Sequence, residues 1–521
     1  MSFTRRKFVQ GVAGAPVSAS LAVASPPPAD SAASTRKKRT IYFNDARHYY
    51  LFVFEPPMTM EDAWRPVDEV AGTAVDTFIY GVERGDGLFY PSKVGMQFGA
   101  DIQPFTMAAY WRTWENMQSL TARGLDPLKV LIDRAHEKGM DFFASVRMSS
   151  YGGMDAKLRV PEGRGLAHPE VRDHQFAVLE ELATLYDSDG VELDFAAAPG
   201  GMPLCLRPED VREYTPVLTD YVRRISKMVR AASGKGKQVG VRVYPTEEMC
   251  RKHGLDIHTW IAEGLVDYVV PLLYLDCTLD PDMPIEWLIG KAHQHDIPVY
   301  GMLQPYVRDE ATASPLRIYA TPEVARGVVA NHWARGIDGI YAWFMQWPLE
   351  DSERRILTEI ADPDLIREAS KQYIQRYRSK QASELGYDAT LPIEIAEAEP
   401  GKRYSIPFLI ADDVQAAPKR IRQVSLQLVV KNLVSADRLG VFLNGDSLSG
   451  ETCLRDFSWN VAPYEGQKLE FHLRHVRPRK GKNLLEVSLD GRPGGLTGGI
   501  SIEGVEVRVE YGLYPSSLAG S

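Results

Sequence analysis

Glu192 and Asp194 stand two residues apart in Asp189-Gly190-Val191-Glu192-Leu193-Asp194-Phe195, a run that ends at Ala196-Ala197-Ala198-Pro199-Gly200-Gly201. Residues two apart on a strand share a face, so both carboxylates point one way and Val191, Leu193 and Phe195 the other. Strands of parallel sheets are normally apolar on both faces, and burying charge costs desolvation. Two acids on one face of such a strand are therefore placed for chemistry at its carboxyl end: general acid, general base or nucleophile.

Such a strand needs neighbours to hold it. From about Thr40 to Asp362, eight short apolar runs alternate with longer amphipathic stretches. The runs are Ile41–Phe43, Val75–Tyr80, Phe142–Val146, Gly190–Phe195, Val239–Tyr244, Val266–Leu275, Pro298–Leu303 and Gly339–Phe344. Helix-start signals stand at Asp126-Pro127 and Thr321-Pro322-Glu323, and glycine stops at Lys138-Gly139 and Arg335-Gly336. Parallel strands require crossover helices, so eight strand-helix units in series specify an α/β fold, a (β/α)8 TIM barrel. A Trp- and Met-rich insertion from Gly81 to Gly124 blurs the helix after the second strand.

Beyond about Leu391 the texture changes to short alternating runs with turns such as Asn444-Gly445-Asp446 and Asp490-Gly491. This reads as an all-β, jelly-roll-like sandwich. The expected division is a signal peptide and linker at 1–35, a catalytic barrel at 40–385 and an accessory sandwich at 390–515.

In a barrel of this kind the active site lies at the carboxyl ends of the strands. Those ends carry, in order, Asp45 and His48; Glu83; Arg147; Glu192 and Asp194; Arg242, Tyr244 and Glu247; Tyr274 and Asp276; Gln304; and Trp343 and Trp347. Carboxylates supply the two groups that cleave a glycosidic bond, and aromatic rings stack on sugar faces, so the rim points to carbohydrate. Asp194, Asp276 and Glu247 are the candidate catalytic carboxylates of this rim. The other rim residues are expected to bind substrate, Arg242 also holding Asp194 ionised. Glu192 has two readings, substrate contact or an ion pair with Arg242 that plugs the barrel. Arg47, Arg147 and Arg242 on the rim also suit an acidic or sulfated glycan, because guanidinium forks grip carboxylate and sulfate.

Asp189-Gly190-Val191-Glu192-Leu193-Asp194 resembles the fourth-strand motif of barrel glycoside hydrolases. In the α-amylase family a similar Asp-Gly-x-x-x-Asp segment ends in the catalytic nucleophile, which implies that role for Asp194. Chitinase-type enzymes continue to a catalytic glutamate two residues on, and Ala196 occupies that position here, so the chitinase mechanism is not expected. Val269-Val270-Pro271-Leu272-Leu273-Tyr274-Leu275-Asp276 resembles the sixth strand of bacterial glycosyl-hydrolase-like barrel proteins, many of them secreted glycosidases. In the α-galactosidase type of barrel the acid follows the sixth strand, which implies that role for Asp276. Leu439-Gly440-Val441-Phe442-Leu443-Asn444-Gly445 resembles a hairpin of the jelly-roll modules appended to such enzymes, where Trp459 and Tyr464 would have to form a platform for sugar binding.

A net charge of −9 argues against a nucleic-acid surface, the basic run Arg36-Lys37-Lys38-Arg39 being short and near the amino terminus. Thr4-Arg5-Arg6-Lys7-Phe8, a weakly apolar run and Ala22-Val23-Ala24 make a twin-arginine export signal, so a periplasmic or secreted bacterial protein is expected. No later segment is apolar over the ~20 residues that a membrane helix needs. Cys205, Cys250 and Cys277 follow successive strands, and one disulfide among them suits an oxidising compartment. Without a CxxC pair or ligand-spaced histidines, neither metal nor cofactor is expected. Two other readings stay open: a carbohydrate-binding barrel without catalysis, and a metal-dependent hydrolase or deacetylase.

Overall fold

The computed structural model describes residues 36–45, 50–148, 156–160, 163–196, 205–232, 236–274, 277–307, 318–378, 380–415, 420–457 and 466–513. The expected export signal lies outside them.

All eight strands read from the sequence form, as β1 (Arg39–Asp45), β2 (Thr77–Gly81), β3 (Asp141–Arg147), β4 (Gly190–Asp194), β5 (Gln238–Val243), β6 (Tyr268–Pro271), β7 (Tyr300–Leu303) and β8 (Gly339–Ala342). Pairing is parallel throughout, in the order β6-β5-β4-β3-β2-β1-β8-β7. A bridge between Val269 and Val299, with the Val269 N–H donating to Pro298 O at 3.0 Å, links β6 to β7 and closes the barrel. Outward residues such as Val191 and Leu193 are fully buried with Leu179 and Leu182 of the helix Pro169–Leu185 in one continuous core. In the Gly81–Gly124 insertion, the helix Ala108–Thr121 stands between β2 and β3.

The local signals work as their chemistry requires. Asp126 accepts from the Leu128 and Lys129 N–H groups at the start of the helix Pro127–Glu137, and Thr321 accepts from Val324 N–H at the start of Pro322–Arg335. Gly336 ends that helix in the left-handed region at φ 95°.

His332, on the same helix, is fully buried, and burial with help from Arg335 lowers its pKa to about 4. The unfolded chain takes up this proton near pH 6.5, the folded chain only near pH 4, so stability falls as pH drops through that window. The loss amounts to roughly 3 kcal/mol at its acid end. Urea unfolding of His332→Leu alongside the parent chain should show a flatter pH dependence between 6.5 and 4; parallel curves would remove His332 as the cause.

The carboxy-terminal region is a sandwich with its own core, including Leu426, Leu428, Leu485 and Val507. One sheet runs β9 (Lys371–Ile374), β17 (Ile500–Tyr511), β12 (Ile421–Lys431), β15 (Gly466–His472), β14 (Thr452–Phe457), with β10 (Ile393–Ile395) also on β17. The other runs β11 (Tyr404–Ile410), β16 (Gly481–Gly491), β13 (Arg438–Leu443) and the two-residue strand Asp446–Ser447. Asn444 at φ 54° and Gly445 at φ 93° make the two-residue hairpin that their sequence announces.

β9 falls within the stretch that sequence reading assigns to the barrel, yet its four residues pair antiparallel with β17 of the sandwich. The helix Pro322–Arg335 packs on it so closely that a Cβ on Gly327 would stand 2.4 Å from Gln372 O. Lys371 Nζ donates to Asp412 Oδ1 at 2.9 Å and the Tyr387 hydroxyl to Asp280 Oδ2 at 2.6 Å, both buried. A chain ended at Asp388 strips β9 of its partner strand and Lys371 of its counter-charge. It should melt well below the full chain or fail to stay soluble; equal melting temperatures would show the barrel to be independent.

Candidate active site

Strand alternation carries Glu192 and Asp194 to the barrel interior, where both are fully buried. In the β4 register, Glu192 is flanked by Ser145 and Gly240, and Asp194 by Arg147 and Arg242. The acids thus occupy two layers, each with its own partners.

In the lower layer, Glu192 Oε1 accepts from Ser145 Oγ at 2.8 Å and from the Tyr341 hydroxyl at 3.1 Å, and Oε2 from the Tyr268 hydroxyl at 3.3 Å. Gly240 is what admits Tyr268: a Cβ there would lie 1.9 Å from the tyrosine Cζ. Arg242 joins the layers, with Nε 2.9 Å from Glu192 Oε1 and Nη2 2.9 Å from Asp194 Oδ2. Its guanidinium lies 4.4 Å from the Phe43 ring centroid and 5.0 Å from that of Trp343. One side chain thus pairs with each acid. Burial pushes the Glu192 carboxyl above its usual pKa; Arg242 pulls it back and the Asp194 charge pushes it up again. Burial would lower Arg242, but Asp194 and Glu192 outweigh it and hold the guanidinium more firmly protonated than usual.

In the upper layer Asp194 Oδ1 accepts from Ala196 N–H at 3.1 Å. Arg147 pairs with Asp45 and donates through Nη1 to Glu83 O at 2.8 Å, while its own N–H donates to Glu83 Oε1 at 2.9 Å. Gln175 Nε2 holds Arg147 O at 3.1 Å. Glu83 is therefore a buried clamp on Arg147. Asp45 and Asp194 both reinforce the Arg147 charge against burial. Four carboxylates and two guanidiniums from the ends of β1, β3, β4, β5 and the turn after β2 form one network.

Other rim positions divide. Trp343 is buried and packs on Phe43 at 4.8 Å and Tyr274 at 6.1 Å, so its ring is a wall behind Arg242 and not an open stacking floor. Gln304 Nε2 donates to Leu273 O at 3.3 Å. Trp347 is half-buried, edge-on to Phe54 at 5.8 Å. Tyr244 is buried with its ring 4.4 Å from His253. Glu247 is placed elsewhere: it is exposed in the first turn of the helix Glu247–Lys252 and pairs with His258 Nε2 at 2.9 Å, outside the Asp194 network. Asp276 and His48 lie outside the described residues, as do Trp459 and Tyr464. The four cysteines, three of them buried, make no disulfide among the described residues, so the expected one is not formed.

Sequence reading passed over Phe43, Ser145, Tyr268 and Tyr341, all inward members of this site. The signal was available for Ser145: in Phe142-Phe143-Ala144-Ser145-Val146-Arg147 the polar residues recur with period two, as in β4. The two tyrosines look like ordinary β-strand residues, and only their hydroxyl partners mark them.

Fold and site together define a (β/α)8 barrel, with an antiparallel β-sandwich behind it and a buried carboxylate–guanidinium network at its strand ends. No protein-family model and no curated protein matches the chain. Solved structures similar to it include a cycloisomaltooligosaccharide glucanotransferase from Paenibacillus sp. (8% identity, 92% of this chain and 58% of that one, TM-score 0.33). Two others are α-L-fucosidase isoenzyme 2 from Paenibacillus thiaminolyticus (13%, 70% and 52%, 0.40) and the PgaB glycoside hydrolase domain from Bordetella bronchiseptica (12%, 63% and 99%, 0.41). The chain spans little more than half the length of the first two. No described helix is long and apolar enough to cross a membrane.

Proposed function

We propose that this protein is an exported glycoside hydrolase that cleaves a poly- or oligosaccharide at the carboxyl face of its barrel. The observation that carries the reading is the posture of Asp194: at the end of β4, fixed by Arg242 on one oxygen and by Ala196 N–H on the other. A guanidinium beside one oxygen and an N–H donor on the other suit a carboxylate, the form that attacks an anomeric carbon or activates a water. Asp276 is assigned the acid that protonates the departing glycosidic oxygen. Glu192 lies one layer deeper and sets the position and charge of Arg242.

Arg147 and Arg242 each face two acidic residues, Asp45 and Glu83 for the first and Glu192 and Asp194 for the second. Both guanidiniums are already charge-paired, so these two give the expected acidic or sulfated glycan no support; Arg47 lies outside the described residues. A neutral glycan is the proposed substrate. The burial of Asp194 favours one other reading, a barrel that binds carbohydrate without cleaving it.

Purified mature protein incubated with a panel of neutral and acidic polysaccharides tests both. Release of reducing ends from a neutral member is the expected result. Binding without release would establish the second reading, and neither binding nor release would end both.

A further inference from the structure

On the outer wall of the barrel, away from the Asp194 network, a cavity of about 520 Å³ opens among the helices that follow β4, β5 and β6. That volume falls within the ~300–1,000 Å³ common to small-molecule sites. Its lining is mainly apolar, with Leu255 and Ile257 buried beneath it and Trp287 half-buried at its side. Trp287 is fixed in place: its indole N–H donates to Pro245 O at 2.9 Å and its ring lies 6.0 Å from that of His258.

The acidic groups of the lining are engaged. Glu247 pairs with His258, and Asp256 accepts from Thr259 N–H at 3.1 Å and from the Thr259 hydroxyl at 2.7 Å. Arg212 and Arg251 are exposed in the same lining and make no salt bridge among the described residues. Arg251 does add to the effect of Lys252 in holding the Glu248 carboxyl below its usual range, so its charge lies near that side chain. An apolar pocket with two uncommitted guanidiniums is complementary to a molecule with a hydrocarbon body and one anionic end.

We propose that this cavity binds a small amphipathic carboxylate, a medium-chain fatty acid or an aryl alkanoate, with its body against Leu255, Ile257 and Trp287 and its carboxylate at Arg212 and Arg251. The site is distinct from that of glycan cleavage and does not depend on it. Two hydrogen bonds nevertheless tie its wall to the turn after β5: Trp287 to Pro245 O, and Cys250 Sγ to Tyr244 O at 3.3 Å.

Calorimetric titration of the full mature chain with octanoate, 4-phenylbutyrate and uncharged octan-1-ol tests the proposal. Saturable binding of both carboxylates is expected, tighter than that of the alcohol and weakened by salt. The double variant Arg212→Gln/Arg251→Gln should lose about tenfold or more in affinity. Equal affinity for octanoate and octan-1-ol, unchanged affinity in the double variant, or no saturable binding would each overturn it.

Discussion

Asp194→Asn is expected to lower turnover of the glycan substrate by at least ~10³-fold while leaving the protein folded. Asparagine preserves the shape of the side chain and can still accept from Ala196 N–H, but it cannot attack an anomeric carbon or take a proton. Arg242 keeps Glu192 as a partner at 2.9 Å, so the barrel retains its central ion pair. Glu192→Gln should be milder in kcat, because that residue acts on substrate only through Arg242 and Asp194. Initial rates on the active member of the polysaccharide panel, with circular dichroism of each variant, check the pair. Turnover by Asp194→Asn within tenfold of the parent would remove Asp194 from the chemistry.

The second large effect concerns stability. Arg242→Met leaves the buried Glu192 without its counter-charge and Asp194 with only the neighbouring Arg147. Removing one partner of a buried ionic group costs about 3–5 kcal/mol, because the stranded charge keeps its desolvation penalty. Glu192 makes the effect pH-dependent, with a sign that follows from its raised folded pKa. A carboxyl whose folded pKa lies above the unfolded value destabilises at neutral pH, and the penalty shrinks as pH falls from the folded pKa to the unfolded one. Without Arg242 that pKa rises further, so the deficit relative to the parent should be largest near pH 7 and shrink on acidification. His332 works in the opposite direction in both chains and cancels in the comparison. Adding Glu192→Gln to Arg242→Met should recover part of the loss, since it removes the stranded Glu192 charge. Urea unfolding at a series of pH values reads all three results; a deficit that grows toward acid would contradict the assignment of Glu192 as a destabilised carboxylate.

The barrel was legible because its evidence is local. Period-two alternation in β3 and β4, proline and glycine at helix ends, and Asn444-Gly445 at a hairpin each act through neighbours a few residues away. The same alternation separates inward Glu192 and Asp194 from outward Val191 and Leu193. The boundary of the barrel was less legible, because β9 pairs with a strand more than a hundred residues later and nothing in Lys371–Ile374 names its partner.

The site shows the same division. By itself the sequence determined which residue types reach the strand ends and that Glu192, Asp194 and Arg242 share the barrel interior, since those follow from periodicity and strand order. Only the tertiary structure decided that Arg242 bridges both acids, that Glu83 clamps Arg147, that Glu247 turns away to His258, and that Gly240 makes room for Tyr268. The reason is that charge pairing depends on distances of about 3 Å between atoms on different strands. Such distances are set by register and packing across the whole barrel, which no single stretch of sequence contains.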